Sequence, residues 1–344
     1  MLTERQSSIL QAIVENYIRS AEPVGSRTIA KHSDINFSSA TIRNEMADLE
    51  ELGYLEQPHT SAGRIPSQKG YRFYVDHLLQ PETIEKEAVE RFQELFKQRY
   101  LEIDQSIRQA SLILAELTNY TTIILGPEIF QTHLRQLQIV PLNYNKAVAL
   151  LITDTGKVES KVVTVPDGVS VSQIEQMVNL INHRLRGTSL AELQGRIFSE
   201  LSEAMRKNLE QYEELMGMLS ELFKSHAEDR IFLSGKTQIL AQPEFRDVDK
   251  AKDIFQLLEQ NDEMLRLFQQ KNKGITVKIG TENNHDVMNQ CSIITASYEI
   301  DGKIVGSIGI LGPTRMDYAR AMGMLQHISR DLTRLLNRLY RGGS

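Results

Sequence analysis

At 344 residues the chain is long enough for two or three domains with substantial cores. Its 41% hydrophobic and 24% charged residues are the balance of a soluble globular protein, and a single cysteine, Cys291, excludes an internal disulfide and agrees with a reducing compartment. A net charge of −6 counts mildly against nucleic acid; no apolar run reaches the length of a membrane span and the N-terminus lacks a basic region followed by an apolar core, so the expected location is cytoplasmic, with no membrane contact.

Thr3 with Gln6 makes a capping-box start, and Ile9, Leu10, Ile13, Val14, Tyr17 and Ile18 give an apolar face that predicts a first helix. Glu22-Pro23-Val24-Gly25 breaks it, and Ser26 is expected to cap a short second helix through about His32. A polar connection, Ser33 to Asn36, leads to a third helix. Ser38 supplies its cap hydroxyl, and Phe37 and Ile42 are placed for a hydrophobic staple. Ile42, Met46 and Leu49 recur at helical spacing and mark the inward side. A rotation of about 100° per residue leaves Ala40, Arg43, Asn44 and Ala47 outward, with Thr41 on the flank. Arg pairs with guanine, Asn with adenine, and small apolar groups touch the thymine methyl, so this face suits a DNA groove. The plain alternative is an ordinary surface helix.

Gly53-Tyr54-Leu55-Glu56-Gln57 reads as a helix stop and a short strand, Arg64-Ile65-Pro66 as its partner, and Pro58 to Gly63 as a small-residue tip. Helix, short helix, turn, helix and hairpin is the order of a winged helix-turn-helix; a surface hairpin is the plain alternative for the wing. Residues 1 to 75 carry eight Lys and Arg against nine Asp and Glu, so bulk charge does not favour DNA. The distribution does. Gln57 to Val75 holds Arg64, Lys69 and Arg72 and no acid, while Asp48, Glu50 and Glu51 lie toward the far end of the third helix. Ser38 and Ser39 are placed to meet phosphate at the helix N-terminus, and Arg64, with Lys69 and Arg72, to anchor the wing side.

The run AEPVGSRTIA, then SSATIRNEMADLEELGYLEQPHTSAGRIPSQKGYRFYVD, resembles the N-terminal domain of the heat-inducible transcription repressor HrcA family. The likeness covers most of residues 1 to 76 without an evident gap and is most specific at Ser38 to Met46 and Thr60 to Tyr74. It implies a homodimeric winged-helix repressor that binds an inverted-repeat operator in double-stranded DNA ahead of chaperone operons, with activity that depends on the GroE chaperonin. Composition and periodicity reach only a winged-helix DNA binder.

Beyond the wing, Ile84 to Leu117 is rich in helix formers, with apolar stripes at Phe92, Leu95 and Phe96 and at Ile103, Ile107, Ala110, Leu114 and Leu117. Pro81 places a boundary near residue 80. Leu134 to Val140, Lys146 to Thr153 and Lys157 to Val165 are β-rich runs separated by turn residues, which predicts a meander. Further strands are expected at Gly274 to Ile279, Cys291 to Ile300 and Lys303 to Leu311, the last two joined by an Asp301-Gly302 hairpin turn. A closing helix is expected from about Thr314 to Tyr340, with Leu325, Ile328, Leu332, Leu335 and Leu339 on one side. Strands interrupted by a long helical stretch predict one α+β domain split by an insertion. With the GAF-like fold that the resemblance implies, the expected division is a winged helix at 1–75, a helical linker at 76–104, a GAF-like domain at 105–165 and 265–341, and an inserted helical dimerisation domain at 166–264. The insert's wide apolar faces (Ile174, Met177, Val178, Ile181; Leu215, Met218, Leu219, Leu222, Phe223) point to self-association; filling their own core is the alternative.

Nothing points to catalysis. Ser234-Gly235-Lys236-Thr237 resembles the end of a phosphate-binding loop, but the glycine required five residues before Gly235 is Arg230. Gly306, Gly309 and Gly312 lack dinucleotide spacing; close packing or bulges explain them better. The eight histidines are dispersed without zinc spacing, and Cys291 in an apolar strand reads as a buried thiol. No cofactor or metal is expected. A second functional reading makes the GAF-like domain a sensor for a small molecule, for which a polar-lined cavity would speak and a filled core against.

Overall fold

The computed structural model describes residues 2–31, 35–59, 63–80, 90, 103–126, 133–143, 145–154, 158–201, 212–223 and 231–341. The chain divides into two compact units, Met1–Gly126 with Ala227–Asn337, and Pro127–His226 with Arg338–Ser344. Most of the expected linker at 76–104, with Phe92, Leu95 and Phe96, and the wing tip at 60–62 lie outside the described residues.

In the first unit, helix α1 (Glu4–Ser20) starts with the reciprocal Thr3 and Gln6 cap and buries Ile9, Leu10, Ile13 and Val14. It stops at Ala21, whose φ of 55° is left-handed. Helix α2 (Ser26–Ile29) is one turn long, shorter than expected, and Gly25 rather than Ser26 is its cap residue. Helix α3 (Ser39–Glu51) packs on α1 and α2 through buried Ile42, Met46 and Leu49. Strands β1 (Leu55–Glu56) and β2 (Ile65–Pro66) pair antiparallel, Leu55 opposite Pro66. A third segment, hidden in the sequence by the Pro23 break, completes this small sheet. Val24 exchanges two backbone hydrogen bonds of 2.9 Å with Arg64, and a Cβ on Gly63 would run into the Val24 backbone. Helix α4 (Gln68–Phe73), capped by Ser67, passes directly into a π-helical turn at Tyr74–Leu78.

After helix α5 (Ile103–Thr118) comes β3 (Thr121–Leu125), a fully buried strand that the sequence patterning does not single out.

The second unit begins with β4 (Leu134–Asn143), β5 (Lys146–Thr153) and β6 (Val158–Thr164), an antiparallel meander. One face of this sheet packs under α6 (Val171–Leu185), α7 (Leu190–Arg196) and α8 (Tyr212–Phe223). Leu137, Ala149, Leu151 and Val163 from the strands meet Ile174, Met177, Ile181, Leu215 and Leu219 from the helices. The Asn182 amide on α6 clamps β4 by accepting from the Leu137 N–H at 2.7 Å and donating to its carbonyl at 2.8 Å. Two expectations are corrected here. The meander belongs with the inserted helices and not with the later strands, because its inner face is what those helices cover. The helix faces themselves fill this core, so they are not the surplus apolar surface of the insert.

The chain then returns to the first unit with β7 (Ile231–Ser234), short α9 (Gln238–Ala241), α10 (Val248–Leu258) and α11 (Asn261–Phe268). Strands β8 (Ile275–Ile279), β9 (Cys291–Ile300) and β10 (Lys303–Pro313) precede the last helix, α12 (Tyr318–Arg341). The sheet order is β7-β3-β10-β9-β8, antiparallel throughout. Residues 231–264, expected in the insert, therefore belong here: β7 is an edge strand of this sheet.

Strand β9 is buried along almost its whole length because helices cover both faces. On one side Ile254, Leu257, Met264 and Phe268 pack on Ile123, Ile293 and Leu311. On the other, α12 follows β9: Tyr318 bonds Ser292 at 2.7 Å, the Ser329 hydroxyl donates to the Ser297 carbonyl at 2.6 Å, and Thr333 accepts from the Glu299 N–H at 3.1 Å. Leu325, Ile328 and Leu332 are buried as expected, joined by Leu336. Asp301 and Gly302 both take positive φ, 46° and 78°, which is the type I′ hairpin that the sequence predicts. The register shifts between Ile304 and Gly306, and a Cβ on Gly309 would strike the Phe268 ring, so bulge and close packing do account for these glycines.

Candidate nucleic-acid interface

The site is the outward side of α3. The Ser38 hydroxyl accepts from the Thr41 N–H at 3.1 Å and lies 2.9 Å from the Thr41 hydroxyl, so both side chains hold the first turn. Ser39 is 3.1 Å from the Ser26 hydroxyl, a polar tie between α2 and α3 that fixes the helix-turn-helix angle. No acid lies in the first turn of α3, which leaves the positive end of the helix dipole uncompensated.

Ala40, Arg43, Asn44 and Ala47 are all exposed, and Thr41 is half-buried on the flank. Among the described residues, neither Arg43 nor Asn44 has a hydrogen-bond or ion-pair partner, so their donors and acceptors are free for a ligand. The acids of the helix are handled differently. Glu45 pairs with Arg5 at 3.3 Å, and Glu50 accepts from Arg64 Nε at 2.8 Å and lies 2.7 Å from its Nη2. Two negative charges on the reading helix are thus neutralised within the domain.

The same contacts occupy the basic residues of the acid-free run. Arg64 is turned to Glu50. Lys69 donates to the Leu52 carbonyl at 2.8 Å and sits over the Tyr54 ring at 4.5 Å, closing the C-terminal end of α3. Arg72 holds Glu282, Asp76 and the Val277 carbonyl, so it faces the α+β domain. Phe37 is 36% exposed under the Arg5 guanidinium, 5.6 Å from its ring centroid, and is not buried as the expected staple. Arg27 and Thr28, exposed on α2, enlarge the surface beside α3. One turn of helix carries too little periodicity to reveal them.

Among the described residues no helix is long and apolar enough to cross a membrane, and no cluster of three His, Cys, Asp or Glu residues could hold a metal ion.

Comparison with known proteins agrees with this geometry. Residues 1–77 match the family described as winged helix-turn-helix transcription repressor, HrcA DNA-binding, and residues 104–322 match the HrcA protein C terminal domain. The fold is therefore that of a winged helix-turn-helix transcription repressor, which binds DNA through that domain and is not an enzyme. A heat-inducible transcription repressor HrcA of Brevibacillus brevis is 53% identical over 336 residues, covering 98% of each chain. The protein of the same name from Bacillus pumilus is 48% identical and covers 99% of each. The chain belongs to the HrcA family of heat-inducible transcription repressors. A crystal structure of a hypothetical protein, 24% identical, superposes with a TM-score of 0.69 over 98% of this chain and all of that one, and shows the same fold.

Proposed function

We propose that the chain represses chaperone operons by binding an inverted-repeat operator as a homodimer, with activity modulated by the GroE chaperonin. Ala40, Thr41, Arg43 and Asn44 read the bases, the start of α3 at Ser38 and Ser39 meets phosphate, and Arg64 and Lys69 brace α3 from the wing side. The observation that carries the reading is the pairing pattern on α3: Glu45 and Glu50 are paired within the domain, while Arg43 and Asn44 have no side-chain partner among the described residues. The operator architecture and the chaperonin rest on membership of the family.

The inserted unit is the proposed dimerisation element. Its helices spend their apolar faces on their own core, which leaves the outer face of the meander. There Val140, Val148 and Val162 stand in one cross-strand row, and Ile152 pairs with Val158 in another. Val140 is 48% exposed, Val158 55% and Val162 58%, a β-branched stripe that a solvated sheet face does not need. A second copy of the same face covers it.

The α+β domain packs helices closely on both sides of its antiparallel sheet, as at Gly309 against Phe268, and the cleft lined by Phe245, Lys250, Asp253, Ile254, Asp286 and Gln290 lies at its surface, not inside that core. That favours control through folding and partner binding over control by an enclosed small molecule. Titrating a palindromic operator fragment in a gel shift, with and without chaperonin, tests the proposal. Chaperonin should raise the fraction of chain competent to bind; no retardation of the palindrome under either condition would refute it.

A further inference from the structure

The winged helix and the α+β domain belong to one compact unit, and their junction has an unusual chemistry. Three side chains make polar contacts across it. Arg72 on α4 donates to Glu282 and to the Val277 carbonyl at 2.7 Å. The Gln68 side chain accepts from the Thr281 N–H and hydroxyl at 3.1 and 2.9 Å and donates to the Asn289 carbonyl at 3.1 Å. Arg315 reaches back to the Ile18 carbonyl at the end of α1, 3.2 Å away, where a cation favours the negative end of the helix dipole.

Each charged group in these contacts also has a partner on its own side. Arg72 is bonded to Asp76 at 3.0 Å, one turn along its own helix. Arg315 is bonded to Glu244 and to Gln242. Glu282 accepts from the Ile279 N–H at 2.8 Å. Breaking a buried ion pair is costly because it strands a charge, and here separation strands none. Docking also has a standing penalty. The Tyr71 ring is buried against Tyr318, with centroids 5.9 Å apart, and its hydroxyl has no hydrogen-bond partner among the described residues. Opening would give that hydroxyl water. The chain leaves α4 through the π-helical turn Tyr74–Leu78, an irregular helical geometry frequent at functional sites.

We propose that this junction is a reversible latch: the winged helix docks on the α+β domain through Gln68, Arg72 and Arg315, and swings free about the Tyr74–Leu78 turn without unfolding of either domain. The reading face of α3 stays exposed in the docked state, so the latch sets where that face is held and not whether it is covered.

Pulsed electron paramagnetic resonance on the full chain tests this. Glu51→Cys and Lys252→Cys, both at exposed positions, carry the spin labels in a chain diluted with excess unlabelled protein so that distances within one protomer are read, and native Cys291 is buried and stays unlabelled. Parent protein should show one dominant distance and a minor second one. Arg72→Ala and, separately, Glu282→Gln should raise the second population roughly three- to tenfold, the loss expected for a partly exposed charge-assisted pair, with the melting of both domains unchanged. Glu282→Gln preserves shape and the bond to Ile279, so it serves if Arg72→Ala folds poorly. A single identical distance distribution in all three proteins, or a second distance that appears only as the winged helix melts, would overturn the latch.

Discussion

Arg43 and Asn44 stand on a helix whose acids Glu45 and Glu50 are already paired with arginines of the same domain. Glu45 is turned to Arg5 and Glu50 to Arg64, which leaves Asp48 and Glu51, toward the far end of the helix, as its exposed acids. The Ser38 hydroxyl, which caps the helix, is the residue on which this geometry rests. Ser38→Ala should lower the stability of the winged helix by about 1 kcal/mol in denaturant unfolding, because the Thr41 N–H loses its acceptor; an unchanged midpoint would show that the cap is dispensable. Burial pushes the Glu282 carboxyl up, but the hydrogen bond from Arg72 and the Ile279 amide outweigh this and hold it below the usual carboxylate range. A depressed folded value gives stability that is present above the unfolded pKa and lost as pH falls through the folded one. Because Arg72 lies across the junction, that stability belongs to the docked state, and the parent should lose more of its docked population than Glu282→Gln between neutral pH and the acid side of the carboxylate range. Parallel loss in the two proteins would contradict that assignment.

At the level of elements, the N-terminal domain was largely legible because its signals are local. Caps at Thr3 and Ser38 and the Ile42, Met46 and Leu49 spacing each act within a few residues, as does the Asp301-Gly302 turn of the α+β domain, and the fold obeys them. What escaped was decided by pairing between distant segments. Nothing near Thr121–Leu125 announces a central strand, since its partners lie at Ser307–Leu311 and Ile231–Ser234. The meander was recognised but placed in the wrong unit, because strand patterning does not say which helices will cover a sheet. Likewise an acid-free run flagged Arg64, Lys69 and Arg72 together, and only the fold shows that Glu50, the Leu52 carbonyl and Glu282 claim them one by one. Those contacts change what Arg64 is expected to do. Arg64→Ala frees Glu50 at the far end of α3, so operator affinity should fall at low salt by added repulsion as well as lost attraction; affinity equal to the parent's across a salt titration would remove Arg64 from the interface.

On the scale of the whole molecule, a domain with nine acids and eight bases cannot rely on bulk charge to find or hold DNA. In the proposed dimer, specific affinity comes from two copies of the α3 face acting together, which would make the dimer part of the binding site. Val162→Asp, at a 58% exposed position on the outer sheet face, should convert the dimer to monomer in sedimentation equilibrium without loss of fold. A dimer of unchanged strength would move the interface elsewhere.

The most direct measurement compares parent and Arg43→Ala on a palindromic operator and on the same DNA with one half-site scrambled. If α3 reads bases as one half of a symmetric pair, Arg43→Ala weakens palindrome binding by about 1 to 3 kcal/mol per half-site and relaxes selectivity at one base pair in each, while scrambling one half-site abolishes tight binding by the parent. Equal affinity of parent and variant for the palindrome, or parent binding that is indifferent to the second half-site, would contradict the account.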